Sequence, residues 1–283
     1  MNYGNACAGF DDAEFAELQD IAKTYREAGG LIIKLTGLLG NTVEDALKMV
    51  PEGWRAGVQD AADFALRSAY LAASSTQVDE SSDSYLNRGL AMLSGERWHK
   101  IASSISGAIG GAGGLATTGA DLAATTILIM RSLQEIAAGY GEDIASEDVR
   151  MACLAVFGFG GPLTEDDEVE TGLFGARMAL AGRTTLEGIL KIVLPRFGMV
   201  ASEKVLAQAV PVLGAVAGAT INPVFTGYYQ QMGHVQFRLR KLEKSHDPAQ
   251  VNACFARIVA ALRQSGKGSG RAADRTLSAD ASS

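Results

Sequence analysis

Apolar residues recur three and four positions apart along most of the chain, the spacing that gathers them on one side of an α-helix. Asp11 and Asp12 can cap a first helix, in which Phe15, Leu18, Ile21, Tyr25 and Ala28 keep the period until Gly29-Gly30. The helix is predicted to close there. Thr42 with Asp45 resembles a capping box before residues 46–50, and Pro51 suits the first turn of a helix carrying Trp54, Val58, Ala62, Ala65, Ala69 and Ala72. Residues 74–84 are rich in Ser and Asp without periodicity and read as a solvated loop. A long helix is expected from about Tyr85 towards Ser106.

Two stretches carry no Asp, Glu, Lys or Arg: residues 101–120 and residues 205–237. In the first, Gly107/Gly111 and Gly110/Gly114 form GxxxG pairs that let two backbones come close, although each interior glycine costs about 1 kcal/mol of helix propensity against alanine. A break is expected near Gly113-Gly114, with Asp121 opening an apolar helix that ends at Gly139 or Gly141. Ser146, Glu147 and Asp148 start the next helix, with Val149, Cys153, Val156 and Phe157 on one side. After an acidic stretch, residues 164–170, come helical patterns through Phe174, Met178 and Ala181, then Leu186, Ile189, Leu190 and Val193, stopping near Pro195. The second uncharged stretch is predicted to be two helices meeting at Asn222-Pro223. Asp247 caps a final helix with Pro248 in its first turn and a stripe of Val251, Phe255, Ile258, Val259 and Leu262. The fold class that follows is all-α, a multi-helix globular bundle with two glycine- and alanine-rich hairpins, residues 103–140 and 205–237, packed in its core. One helical domain over 11–263 is expected, between a flexible N-terminus, 1–10, and a tail, 264–283, too poor in apolar surface to order.

Composition adds exclusions. With 283 residues, 47% of them hydrophobic, the chain can bury a large core. Its 32 acidic against 25 basic residues give a net charge of −7, which argues against a nucleic-acid partner. Cys7, Cys153 and Cys254 are far apart and make no CxxC or Cys/His spacing, so they read as reduced thiols in a cytoplasm, with Cys153 and Cys254 as core residues. Residues 1–10 have neither a basic nor an apolar export region, so export and a lipidated Cys7 are not expected.

Several segments carry a family likeness: residues 113–122, residues 131–141, residues 163–172, and above all PVLGAVAGATINPVFTGYYQQMGHVQFRLRKLEK from Pro211 to Lys244. Together and in this order they resemble the EcsC family of bacterial proteins, over roughly residues 35–262. The family takes its name from a gene beside those of an ABC exporter. The resemblance therefore implies an all-helical fold and a loose association with membrane transport, and it supplies no catalytic residue.

Four groups of residues compete as sites. The uncharged stretch 205–237 exceeds the roughly 20 residues a membrane helix needs, but Gln208, Thr220, Asn222, Gln230, Gln231 and His234 punctuate it and Pro211 and Pro223 cut it, which favours a buried hairpin. The acids of residues 164–170 lack the alternation and mid-loop glycine of a Ca²⁺ loop and look like a helix start, so no metal and no cofactor are expected. Arg131 and Glu135, four apart, can pair, and Asp121 lies about four turns before Glu135. With Asn222 and His234 they form a candidate polar core network. Arg238, Arg240, Lys241 and Lys244 follow the second uncharged stretch directly and are a candidate surface for a membrane or a membrane-protein partner.

The leading expectation is a non-enzymatic accessory protein, cytoplasmic or peripheral on the inner face of a membrane or to an ABC-type transport system, acting through its small-residue helical hairpins. The alternative is a hydrolase-type enzyme with Asp121, Glu135, Glu170 and His234 as catalytic candidates in an interhelical site.

Overall fold

The structure, a computed structural model, describes residues 4–39, 53–75, 115–159, 166–182, 184–208 and 213–280. Eight α-helices occur among them and no strand: α1 (Asp12–Leu39), α2 (Gly53–Ser75), α3 (Leu115–Gly139), α4 (Glu147–Val156), α5 (Asp166–Ala181), α6 (Leu186–Gln208), α7 (Leu213–Leu242) and α8 (Pro248–Asp280). Short 3-10 turns precede α1, at Gly4–Cys7, and follow α4, at Phe157–Phe159. Of the Ser- and Asp-rich loop expected at 74–84, Ser74 and Ser75 are the last residues of α2; the rest of it, the helix expected at 85–106 and the GxxxG pairs at 107–114 lie outside the described residues.

Local signals start these helices as anticipated. Asp11 and Glu14 form a reciprocal capping box, each backbone N–H donating to the other's carboxylate at 3.0 and 2.8 Å. The Ser146 hydroxyl accepts from the Val149 amide at 3.2 Å to open α4. Asp247 accepts from the Ala249 and Gln250 amides, with Pro248 as the first residue of α8. Helix α5 begins at Asp166, inside the acidic stretch 164–170 read as a helix start. Helix α3 begins at Leu115, six residues before Asp121. It closes in a Schellman motif: the Glu142 amide donates to the Ala137 carbonyl and the Gly141 amide to Ala138, with Gly141 at φ +76°.

Predicted stops are overrun in four places. Helix α1 continues through Gly29-Gly30 to Leu39, because glycine weakens a helix without removing a backbone donor. Helix α6 continues through Pro195 to Gln208. Its buried residues Ile189, Val193, Phe197 and Ala201 fall four apart on both sides of the proline, so one apolar stripe carries the helix across a penalty of about 3 kcal/mol. Helix α7 likewise passes through Asn222-Pro223 without a turn, so the two helices expected to meet there are one. Beyond the proline, Phe225, Tyr228, Tyr229, Met232 and Val235 are all buried. Helix α8 runs on to Asp280, where a disordered tail was expected from 264. No proline interrupts that segment.

The chain makes two compact units where one domain was expected: Met1–Arg26 with Arg238–Ser283, and Glu27–Phe237. In the larger unit α2 packs chiefly on α3 and also on α6, while α5, α6 and the Phe157–Phe159 turn pack together. Alanines of α2 face inward: Ala62, Ala65, Ala69 and Ala73 are fully buried. Aromatic rings gather around Phe157, whose centroid lies 5.3 Å from that of Phe197 and 5.0 Å from that of Tyr229. In the smaller unit the Gly4–Cys7 turn packs on α8 and Tyr25 meets Phe255 edge to face at 5.9 Å.

The cysteine expectation is corrected. Cys7 and Cys254 form a disulfide, with Cα atoms 4.7 Å apart, and Cys153 is a buried free thiol. Residues 4–10 are accordingly fastened, where a flexible terminus was expected. A separation of 247 residues gave the sequence no spacing to flag the pair.

Candidate functional site

The polar residues of the larger unit converge on α7. Gly233 lets α7 approach α3 closely, since a Cβ placed there would stand 2.5 Å from Leu133 Cδ2 and 3.4 Å from Ile136 Cδ1. Beside this contact the Gln230 amide donates to the Ser132 hydroxyl at 2.8 Å, and both residues are buried. One residue beyond it, His234 Nδ1 lies 2.9 Å from the Tyr140 hydroxyl, the rings meeting edge to face at 5.7 Å and 79°. Tyr140 stands just past the end of α3, between Gly139 and the left-handed Gly141 that closes the helix.

Two further ties reach α7 from other elements. The Tyr228 hydroxyl donates to the Phe159 carbonyl at 3.0 Å. From α5 the Arg177 guanidinium donates to Gln236 twice, to its side-chain oxygen at 2.6 Å and to its carbonyl at 3.3 Å. Arg177 is 3% exposed, so these bonds hold a charge that water scarcely reaches. Helix α3 is tied to the end of α2 as well, the Gln134 amide donating to the Ala73 carbonyl at 3.2 Å.

Of the residues singled out from sequence, His234 is thus brought against Tyr140. Glu135 is half-buried on α3, and the Nε of Arg131 is buried without a hydrogen-bond partner among the described residues. Asp121 lies on α3, Glu170 on α5 and Asn222 on α7, with side chains outside the described residues. Arg177, Gln236 and Tyr140 were missed. One signal was available for Arg177: it is the only basic residue of α5 and is flanked by Ala176 and Met178. Among the described residues no three His, Cys, Asp or Glu side chains gather closely enough to hold a metal ion.

The basic group at the end of α7 is divided within the smaller unit. Arg238 donates to Glu17 at 2.7 Å, to Asp20 at 2.8 Å and to Thr24 at 3.4 Å, and its side chain is 14% exposed. It is an internal ion pair and offers a membrane no free cation, which corrects its place in the expected surface. The Arg238 hydrogen bond holds the Glu17 carboxyl below the usual carboxylate range, against partial burial. Arg240 is half-buried, while Lys241 and Lys244 are exposed. One turn before Glu17 on α1, Glu14 lies 2.8 Å from His246 Nε2, and this contact, with the Asp11 amide, lowers the Glu14 carboxyl.

Large apolar side chains also face solvent. Phe64 and Leu71 of α2 are 65% and 66% exposed and lie seven residues apart, hence on one helix face. Arg67, between them, is paired with Asp63 at 2.9 Å and Glu187 at 2.7 Å. Among the described residues no helix is long and apolar enough to cross a membrane.

Comparison with known proteins gives one finding. A family model, that of the EcsC protein family, matches residues 16–242. No curated protein and no solved structure matches the chain.

Proposed function

The chain belongs to the EcsC protein family, and from that premise we propose that it is a non-catalytic accessory protein that works at a membrane surface, as the family's association with an exporter gene implies. One observation supports the non-catalytic part of this reading: three polar side chains of α7, Gln230, His234 and Gln236, are engaged by residues of neighbouring elements. Gln230 holds Ser132, Gln236 holds Arg177, and His234, the candidate acid–base group, sits against Tyr140. Side chains used this way fix the register of packed helices. The surface is then the working part. Phe64 and Leu71, two turns apart on one face of α2 and mostly exposed, are an aromatic and an aliphatic side chain of the kind that enters the headgroup boundary of a bilayer.

The test is flotation of the purified protein with vesicles of neutral lipid and with vesicles containing anionic lipid. Wild-type protein is expected to rise with the vesicles, and the Phe64→Ser/Leu71→Ser variant to remain below while keeping its helical circular dichroism. Recovery of the wild type in the lipid-free fraction with both vesicle types overturns the reading.

A further inference from the structure

We propose that the Cys7–Cys254 disulfide is a redox-controlled clasp, which fastens the N-terminal strap, residues 4–10, to the first turns of α8 and releases it on reduction by a dithiol. The contacts around the bond carry this inference. Cys7 ends the Gly4–Cys7 turn and is partly exposed, whereas Cys254 is fully buried on the apolar stripe of α8 with Val251, Phe255 and Ile258. Cys7 is therefore the side of the bond nearer to solvent, and the one that an attacking thiolate would approach.

Apart from the disulfide, little among the described residues holds the strap. Asn5, Ala8 and Gly9 are exposed, so the segment buries little apolar surface of its own. The Gln250 side-chain amide donates to the Ala8 carbonyl, one turn before Cys254 on the same face of α8. Gly9, at φ +97°, turns the chain so that Phe10 reaches His246, their ring centroids 4.5 Å apart. An exposed hydrogen bond and one ring contact each contribute modestly in water. With the covalent bond gone, they cannot outweigh the entropy of ordering seven residues.

Release leaves the rest of the unit in place. Tyr25 still packs on Phe255, Arg26 still donates to the Leu262 carbonyl at 3.1 Å, and Arg238 still holds Glu17 and Asp20. Reduction thus uncovers a local face of α8 around Gln250 and Cys254 without unfolding the helices beneath it.

The chemistry is thiol–disulfide exchange and balances with an external dithiol. A thiolate of the dithiol attacks Cys7 Sγ, the Sγ–Sγ bond breaks, and Cys254 leaves with the electron pair and takes up a proton. The second thiol of the reductant then displaces Cys7, closing a cyclic disulfide. Two electrons pass from the dithiol to the protein, whose two cysteines end as thiols.

Thiol counting on the full chain, followed by amide exchange, tests the clasp. The protein has three cysteines, of which Cys153 alone is free in the clasped form. Equilibrated with oxidised glutathione and then quenched in acid and denatured, the protein should show one thiol; with excess dithiothreitol it should show three. Exchange at the amides of residues 5–10 should be at least tenfold faster in the reduced protein, while those of Phe255 and Ile258 change less than twofold. The Cys7→Ser variant should exchange at the fast rate in both buffers, and Cys153→Ala should keep the difference. Three thiols after oxidised glutathione, one thiol after dithiothreitol, or strap amides indifferent to reduction would each overturn the proposal.

Discussion

Gly233 on α7 and Leu133 on α3 approach so closely that a single methyl at position 233 would overlap the leucine side chain, at 2.5 Å from Cδ2. Leu133 is fully buried and Ile136 stands behind the same point at 3.4 Å, so the leucine has little room to turn aside. Overpacking of this kind costs about 1–3 kcal/mol. Against it, alanine gains about 1 kcal/mol of helix propensity over glycine. Gly233→Ala should therefore be neutral to destabilising by about 2 kcal/mol in the wild-type chain. In a Leu133→Ala background, where the obstructing methyl is gone, the same substitution should become stabilising. Urea unfolding of the four proteins of this cycle checks the reversal of sign, and equal effects in both backgrounds would refute the contact.

The buried pair of Arg177 and Gln236 gives a second expectation. Gln236→Leu keeps the volume but removes the acceptor at 2.6 Å from a guanidinium that is 3% exposed. Loss of a hydrogen bond to a buried charge costs about 1.5–3 kcal/mol. Chemical denaturation should show a loss in that range, larger than that of Gln231→Leu, whose side chain is only partly buried.

Acid stability should depend on Glu17. Its carboxyl is lowered in the folded protein by Arg238, so the folded state binds fewer protons than the unfolded chain across that interval. The stabilisation is fully present above the unfolded value, about 4.3, and is lost as pH falls through the lowered folded value. Glu17→Gln should consequently be less stable than wild type at neutral pH, and the two should converge in acid. Thermal melts from pH 7 down to pH 3 would show this as a shallower acid limb in the variant; parallel curves would contradict it.

Gly141 should be sensitive for a purely backbone reason. No atom lies within 4 Å of a Cβ built there, yet φ is +76°. A left-handed conformation costs an alanine about 1–2 kcal/mol. Gly141→Ala should lower stability by that amount, read by denaturant unfolding, while Gly139→Ala, equally open but at the helical end of α3, should not.

What could be read from sequence follows the range of the interactions. The caps at Asp11, Ser146 and Asp247 involve residues two or three apart, and each lies where its pattern placed it. The inward faces of α4 and α8 were equally plain, since apolar period alone defines them, whereas on α2 Ala62, Ala65 and Ala69 are buried as expected but Ala72 is only half-buried and Ala73 takes the inward place. The stops at Gly29-Gly30, Pro195 and Pro223 failed because helix propensity is a local quantity and packing is not. Around Pro195, Val193 and Phe197 are buried against other helices, and nothing near the proline in sequence reveals that. Site residues divide in the same way. His234 drew attention by its rarity, but its partner Tyr140 lies 94 positions away, and Arg177 is 59 positions from Gln236. Arg238 shows the reverse error, a basic residue assigned to a surface by its lysine neighbours although Glu17, 221 positions earlier, had already claimed it.

Closing Cys7 to Cys254 also alters the chain's covalent topology, because the bond makes residues 7–254 a ring. A ring needs two cuts before it yields separate pieces. A single proteolytic nick in a segment between its helices would therefore leave the oxidised molecule in one covalent piece, and the same nick would divide it once a reductant is present.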